Sequence, residues 1–212
     1  MNRVYAASAL ALTAALIAGI GGFILWGRAN QDEDLFAQCR ATQVAGGSGD
    51  IGGPFELVSE DGETVTDEDI ITGPTLIYFG YTFCPDVCPL DNARNAVAVE
   101  ILEDEGRMVT PVFISIDPER DTPEVLRAFT DNLHPRMIGL TGTPDQTAAA
   151  SRAYRTYYNY QDPGEDGFYL VDHSTFTYLV FPDFGFVDFF RRDESPEEMA
   201  DRISCFMDAA GS

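Results

Sequence analysis

The sequence contains no lysine: all 13 basic residues are arginine, set against 35 Asp and Glu, and the formal charge at pH 7 is −22. Binding to nucleic acid depends on cationic contacts to phosphate, so that class of partner is excluded. The acidity describes a surface that repels its own copies and stays in solution. Histidine is also scarce, with only His134 and His173 to offer an imidazole. The glycine-rich stretch Gly46-Gly47-Ser48-Gly49-Asp50-Ile51-Gly52-Gly53 has no strand before it and no Lys-Ser/Thr after it. It therefore reads as a spacer and not as a phosphate loop.

One long stretch lacks charge altogether. Val4–Trp26 runs 23 residues without an ionisable group except Tyr5, enough at about 1.5 Å per residue to cross a hydrocarbon core of roughly 30 Å. It reads as a transmembrane helix, dividing the chain into an anchor (residues 1–28), a flexible tether (29–53) and one domain (54–212). A cleaved signal peptide has a shorter apolar core, about 7–15 residues, and a small-residue cleavage site, and no clear A-x-A is present. Arg3 and Arg28 flank the run almost symmetrically, so the positive-inside rule does not orient it. The tail before it is only a few residues long, which makes a single-pass anchor in the inner membrane with its bulk translocated the natural topology. The domain then lies in a periplasm-like, oxidising space where four cysteines can form bridges.

The domain is punctuated as alternating strands and helices. Phe55–Val58 and Thr64–Val65 flank Glu60-Asp61-Gly62-Glu63 as a hairpin. Strands follow at Thr75–Tyr81, Met108–Ile116 and Met137–Leu140, alternating with helices at Pro89–Glu105, Pro123–Leu133 and Pro144–Tyr158. Tyr169–Val180 and Phe186–Phe190 read as a closing hairpin around Pro182-Asp183-Phe184-Gly185, before a last helix at Pro196–Asp208. Thr143-Pro144-Asp145-Gln146 and Ser195-Pro196-Glu197-Glu198 both fit a capping box with proline at the first helical position. This order predicts an α/β domain with a largely parallel sheet: a thioredoxin-like fold carrying an N-terminal β-hairpin and an insertion.

The chemistry concentrates in Tyr78-Phe79-Gly80-Tyr81-Thr82-Phe83-Cys84-Pro85-Asp86-Val87-Cys88-Pro89-Leu90. Two thiols sit where a buried strand hands over to a helix N-terminus, whose unpaired N–H groups and dipole favour thiolate. A thioredoxin redox pair has two residues between its cysteines; here there are three, which lets both sulfurs converge on one ion. Two thiolates suit Cu(I), and a third ligand is needed to hold Cu(II). Position favours His173, on the strand packed beside the dithiol loop, over His134 at a helix end, where a cation would complement the dipole.

The combination of Gly80-Tyr81-Thr82-Phe83-Cys84-Pro85-Asp86-Val87-Cys88-Pro89, Ser115-Ile116-Asp117-Pro118-Glu119-Arg120-Asp121-Thr122-Pro123, Gly139-Leu140-Thr141-Gly142 and Val171-Asp172-His173-Ser174 resembles the Sco/SenC family of copper chaperones over roughly residues 50 to 205. The resemblance implies a membrane-anchored thioredoxin-fold protein that binds copper, as Cu(I), Cu(II) or both, and helps build the Cu(A) centre of cytochrome c oxidase subunit II. It places the family's copper ligands on Cys84, Cys88 and His173. Partners would be that subunit, other periplasmic copper chaperones or thiol reductants, and the membrane through residues 4–26.

A second reading uses the same Cys84 and Cys88 as the redox pair of a thiol-disulfide oxidoreductase that reduces an acceptor dithiol. A peroxidase fits less well, because Cys84 lacks a Thr-x-x-Cys setting. Asp117–Pro123 reads first as a helix start, with its aspartates as outer groups around a metal in the alternative. Tyr154, Tyr157, Tyr158 and Tyr160, at mostly helical or adjacent spacing, read as core packing plus an exposed face and not as a binding box. Cys39 and Cys205 lie outside the motif, Cys205 on the flank of the last helix's apolar stripe. They are expected to form a structural disulfide that leaves Cys84 and Cys88 free.

Overall fold

The computed structural model describes residues 19–22, 35–40, 51–165 and 167–211. The chain divides into two compact units, Met1–Gln38 and Cys39–Ser212. The span Val4–Trp26 lies outside the described residues apart from a short helix at residues 19–22; among the described residues no helix is long and apolar enough to cross a membrane.

The larger unit is built on a seven-stranded mixed sheet. Its strands are β1 (Glu56–Ser59), β2 (Thr64–Thr66), β3 (Thr75–Gly80), β4 (Thr110–Ser115), β5 (Ile138–Thr141), β8 (Thr177–Phe181) and β9 (Gly185–Phe190), in the order β2-β1-β5-β4-β3-β8-β9. Strands β3, β4 and β5 are parallel, and antiparallel pairs close both edges. The N-terminal hairpin forms as predicted, turning through Gly62 at φ 79°, a left-handed conformation that costs glycine little. All six residues of β3 are buried, as an uninterrupted apolar run covered on both faces requires.

The helices are α1 (Asp67–Ile70), α2 (Val87–Asp104), α3 (Pro123–Thr130), α4 (Pro144–Ala153) and α5 (Pro196–Ala210). Crossover α2 joins β3 to β4, α3 joins β4 to β5, and α5 packs on α2. Both anticipated capping boxes are present. The Thr143 hydroxyl accepts from the Gln146 N–H and the Ser195 hydroxyl from the Glu198 N–H, each at 3.2 Å, with proline opening each helix. Such caps contribute about 1 kcal/mol each. The core runs from Phe55 and Leu57 through Ile77, Phe79, Phe113 and Ile114 to Tyr154, Val180 and Phe186.

Two expected elements differ. Helix α4 stops at Ala153 and does not run to Tyr158, because Arg155 takes a left-handed φ of 51° and the Thr156 N–H turns back to the Ser151 carbonyl at 3.0 Å. That is the hydrogen-bonding of a helix C-terminus with arginine in the glycine position. Tyr154 then fills the core, while Tyr158–Tyr160 forms a strand, β6. The run Tyr169–Val180 also breaks into two strands. Its first part, β7 (Val171–His173), leaves the main sheet and pairs antiparallel with β6, Tyr158 opposite His173. His173 therefore lies on the inserted β6–β7 hairpin and not on the first strand of the closing hairpin, which is β8–β9.

Cys39 and Cys205 are joined in a disulfide with their Cα atoms 5.7 Å apart. Next to it the Arg40 Nε donates to the Val187 carbonyl at 3.1 Å. Gly52 N–H donates to the Ala153 carbonyl at 2.9 Å, so the end of the glycine-rich stretch is seated on the domain.

Candidate metal centre

The local sequence explains how both sulfurs come to lie beside the end of β3. After Gly80 the chain turns, with Cys84 N–H reaching the Tyr81 carbonyl at 3.3 Å, and α2 begins at Val87. That start is two residues earlier than predicted and puts Cys88 in the first helical turn. Gly80 makes room for it: a Cβ there would lie 3.1 Å from the Cys88 Sγ, 2.8 Å from Tyr78 Cε1 and 3.0 Å from Phe113 Cε2. A side chain at position 80 would force the Tyr78 and Phe113 rings or this sulfur to give way.

The helix N-terminus has no side-chain cap. Instead the Cys88 N–H points at the Cys84 Sγ, 3.4 Å away, and a sulfur receiving helix N–H groups is favoured as thiolate. The hydrogen bond from the Cys88 thiol draws the Cys84 thiol down to about 3. Burial opposes this, while His173 and the backbone amides of Asp86 and Cys88 assist. Cys88 moves the opposite way, because it is fully buried and faces the Cys84 sulfur. The pair is therefore one thiolate and one held proton.

His173 completes the cluster from the β6–β7 hairpin. Its Nδ1 lies 2.8 Å from the Ser174 carbonyl, which can only accept, so Nδ1 carries the proton and donates it. Nε2 faces the Cys88 Sγ at 3.2 Å, and in the neutral ring it is the nitrogen that carries the lone pair. Tyr78 and Tyr81 set their rings nearly perpendicular to the imidazole, with centroids 6.1 and 5.8 Å away. The donor atoms of Cys84, Cys88 and His173 all lie within 4.8 Å of one another. Two sulfurs and an imidazole suit a soft or borderline ion.

A match to the SCO1/SenC family model covers residues 43–208. The chain belongs to the SCO1/SenC family. It is similar to the protein SenC of Rhodobacter capsulatus, 54% identical over 99% of this chain and 94% of that protein. Among solved structures it resembles Arabidopsis thaliana ScoI with copper bound, at 41% identity and TM-score 0.70, covering 74% of this chain and 99% of that one. It also resembles BsSco, described as containing a disulfide switch and as a member of the Sco family of cytochrome c oxidase assembly proteins. That match has 25% identity and TM-score 0.58, over 75% of this chain and 92% of BsSco. The thioredoxin-like α/β architecture predicted for the domain is that of these SCO1/SenC structures.

In this SCO1/SenC chain the other histidine lies elsewhere. His134 precedes β5 and so sits at the N-terminal end of the parallel strands, opposite the end that carries the cysteines. It is buried, its Nδ1 accepting from Arg136 N–H at 3.2 Å and its Nε2 facing Glu103 at 3.3 Å. Both nitrogens are committed to the fold.

Two supporting residues, Tyr78 and Asp91, were not anticipated. The Tyr78 hydroxyl donates to the buried Asp91 carboxylate at 3.0 Å. Burial pushes the Asp91 carboxyl up, against the pull of that hydroxyl and of Arg94 and Arg192. Asp91 falls three residues after Cys88 on the same helix face, a spacing visible in the sequence. Asp121 fastens the cysteine loop: it receives the Thr82 N–H at 3.1 Å and the Thr82 and Ser115 hydroxyls at 2.6 Å. The Asp117–Pro123 segment is thus both a helix start, Thr122 capping α3, and a support of the site.

Proposed function

We propose that this chain is a copper-delivery protein for the assembly of cytochrome c oxidase, with Cys84, Cys88 and His173 as the copper ligands. The observation that carries this reading is the convergence of two sulfurs and one imidazole nitrogen within 4.8 Å. Copper is the cargo. The two sulfurs hold Cu(I), the imidazole adds a donor suited to Cu(II), and transfer proceeds by exchange of these ligands for the cysteines of the Cu(A) site in oxidase subunit II. Cys84 offers a ready thiolate for such exchange, and the presence of bound copper in a 41%-identical relative supports copper as the cargo. The uncharged Val4–Trp26 run supports a single-pass anchor in the inner membrane, and the Cys39–Cys205 bridge supports a periplasmic domain.

The experiment is copper titration of the reduced protein beside the double variant Cys84→Ser, Cys88→Ser, with oxidase assembly followed in cells carrying each. One copper per chain in the parent, none in the double variant, and loss of the assembled Cu(A) centre are the expected results. A parent that takes up no copper ends the reading.

The low position of the Cys84 thiol also favours a second reading, in which the dithiol reduces the acceptor's cysteines. Normal reductase activity and full oxidase assembly by a His173→Ala variant that has lost Cu(II) binding would put that reading first.

A further inference from the structure

The histidine hairpin β6–β7 has no backbone pairing to the main sheet. What fixes it is a set of side-chain contacts, and most converge on the loop between β4 and α3. The Tyr160 hydroxyl donates to the Ile116 carbonyl at 2.7 Å and the Tyr169 hydroxyl to Asp117 Oδ1 at 2.9 Å. Arg120 sits at the centre. Its Nε pairs with the fully buried Asp117 carboxylate, its Nη1 donates to the Tyr169 carbonyl at 3.0 Å, and its guanidinium lies 3.6 Å from the Tyr169 ring centroid. The same guanidinium is 5.0 Å from the ring of Phe83, the residue before Cys84, and 5.5 Å from Tyr81. Tyr81 in turn accepts the Val171 N–H at 3.2 Å, two residues before His173.

Arg120 thus touches the cysteine loop on one side and the lead-in to His173 on the other. A planar guanidinium can pair with a carboxylate, donate to a carbonyl and stack on an aromatic face at once, which an ammonium cannot.

We propose that Arg120 is a positioning residue of the metal centre: through Asp117 and Tyr169 it sets the distance between the His173 imidazole and the Cys84–Cys88 pair, and so decides how well the site holds Cu(II). The inference rests on the copper reading for its metal arm only. Outer groups of this kind are worth about 10–100-fold in metal affinity. Removing Arg120 leaves the two sulfurs where α2 and Asp121 hold them, so Cu(I) binding stays.

The test compares the parent with Arg120→Gln, Arg120→Lys, and the neutral pair Asp117→Asn with Arg120→Gln, which avoids leaving a buried carboxylate unpaired. Two quantities are read: amide hydrogen exchange at Val171 in the metal-free protein, against the amides of β3, and Cu(I) and Cu(II) affinity with the nitrogen hyperfine pattern of the Cu(II) spectrum. In the Arg120→Gln and paired variants, Val171 exchange should rise about 10-fold or more while β3 is unmoved, and Cu(II) affinity should fall about 10–100-fold with a weakened nitrogen pattern at constant Cu(I) affinity. Arg120→Lys should fall between. Unchanged Val171 exchange overturns the proposal whether or not copper binds. So does a loss of Cu(I) and Cu(II) affinity in equal measure, which would mark general damage to the site. A parent that binds no copper defeats the copper reading alone, and the exchange measurement then decides the positioning role.

Discussion

The two sides of the metal cluster are held by different kinds of structure. The cysteine side continues β3, which is hydrogen-bonded to β4 on one edge and β8 on the other, and reaches α2 through a six-residue loop that Asp121 fastens. The histidine side is a two-stranded hairpin whose strands pair only with each other; it meets the body through Tyr160, Tyr169, Arg120 and the Tyr81 hydroxyl, and through Val171 in the core. An isolated two-stranded hairpin is marginal in water. The sulfurs are therefore fixed with the stability of the whole fold, while the imidazole is fixed with a smaller, local stability. A ligand held locally can leave its metal without the domain unfolding.

The sharpest way to break this comparison is His173→Ala. Loss of the imidazole should cost Cu(II) retention about 100-fold or more, while the two sulfurs keep Cu(I) within a few-fold, as soft ligands prefer. Equal losses for both ions would mean that the two sides act as one rigid unit.

The cysteine side is itself asymmetric. With Cys84 drawn down to about 3, it is thiolate throughout the neutral range. An ordinary thiol near 8.5 gains reactivity about tenfold per pH unit below that value. Alkylation of Cys84 should instead be nearly flat between about pH 5 and pH 8, and Cys88, buried with its proton held, should stay unlabelled until the chain unfolds. Mass spectrometry of modified peptides over that range checks both; a Cys84 rate rising tenfold per unit would show that the helix N-terminus and Cys88 do not hold the charge.

Stability should divide along the same line. Removing the bridge with Cys39→Ser, Cys205→Ser should cost about 2–4 kcal/mol in denaturant melts, yet leave copper affinity unchanged, because neither sulfur touches the cluster. Gly80→Ala should cost less, about 1–3 kcal/mol for an overpacked methyl. Since that methyl would meet the Cys88 Sγ, it should weaken Cu(I) and Cu(II) alike. A Gly80→Ala variant of full affinity would mean that α2 can shift without loss to the site.

The sequence made one side of the cluster more legible than the other for the same reason. Strand, dithiol loop and helix start are contiguous between Thr75 and Asp104, so local rules of burial and proline position find them. His173 was reachable by position and scarcity, but the hairpin that carries it was not. Its pairing joins Tyr158 to His173 across 15 residues, its start depends on a left-handed Arg155, and its tyrosines mimic helical spacing. Arg120 was hidden further: its partners Tyr169 and Phe83 lie 49 and 37 residues away, and nothing local marks them. The Cys39–Cys205 pair was found by elimination and by the flank position of Cys205, which is half-buried on α5.

That disulfide sets a problem for the folding chain among oxidants. Four cysteines allow three fully paired arrangements, and the bridge that the fold uses spans 166 residues, whereas Cys84 and Cys88 stand four apart. On loop-closure entropy alone the long ring is disfavoured against the short one by about 3 kcal/mol. Synthesis order adds to the bias, since both motif cysteines emerge long before Cys205. An unfolded chain left to oxidants therefore favours the short Cys84–Cys88 ring first, which ties up two of the three candidate ligands. Under the copper reading proposed above, Cys84 and Cys88 then need a thiol reductant that supplies two electrons per chain, even while Cys39 and Cys205 are being oxidised.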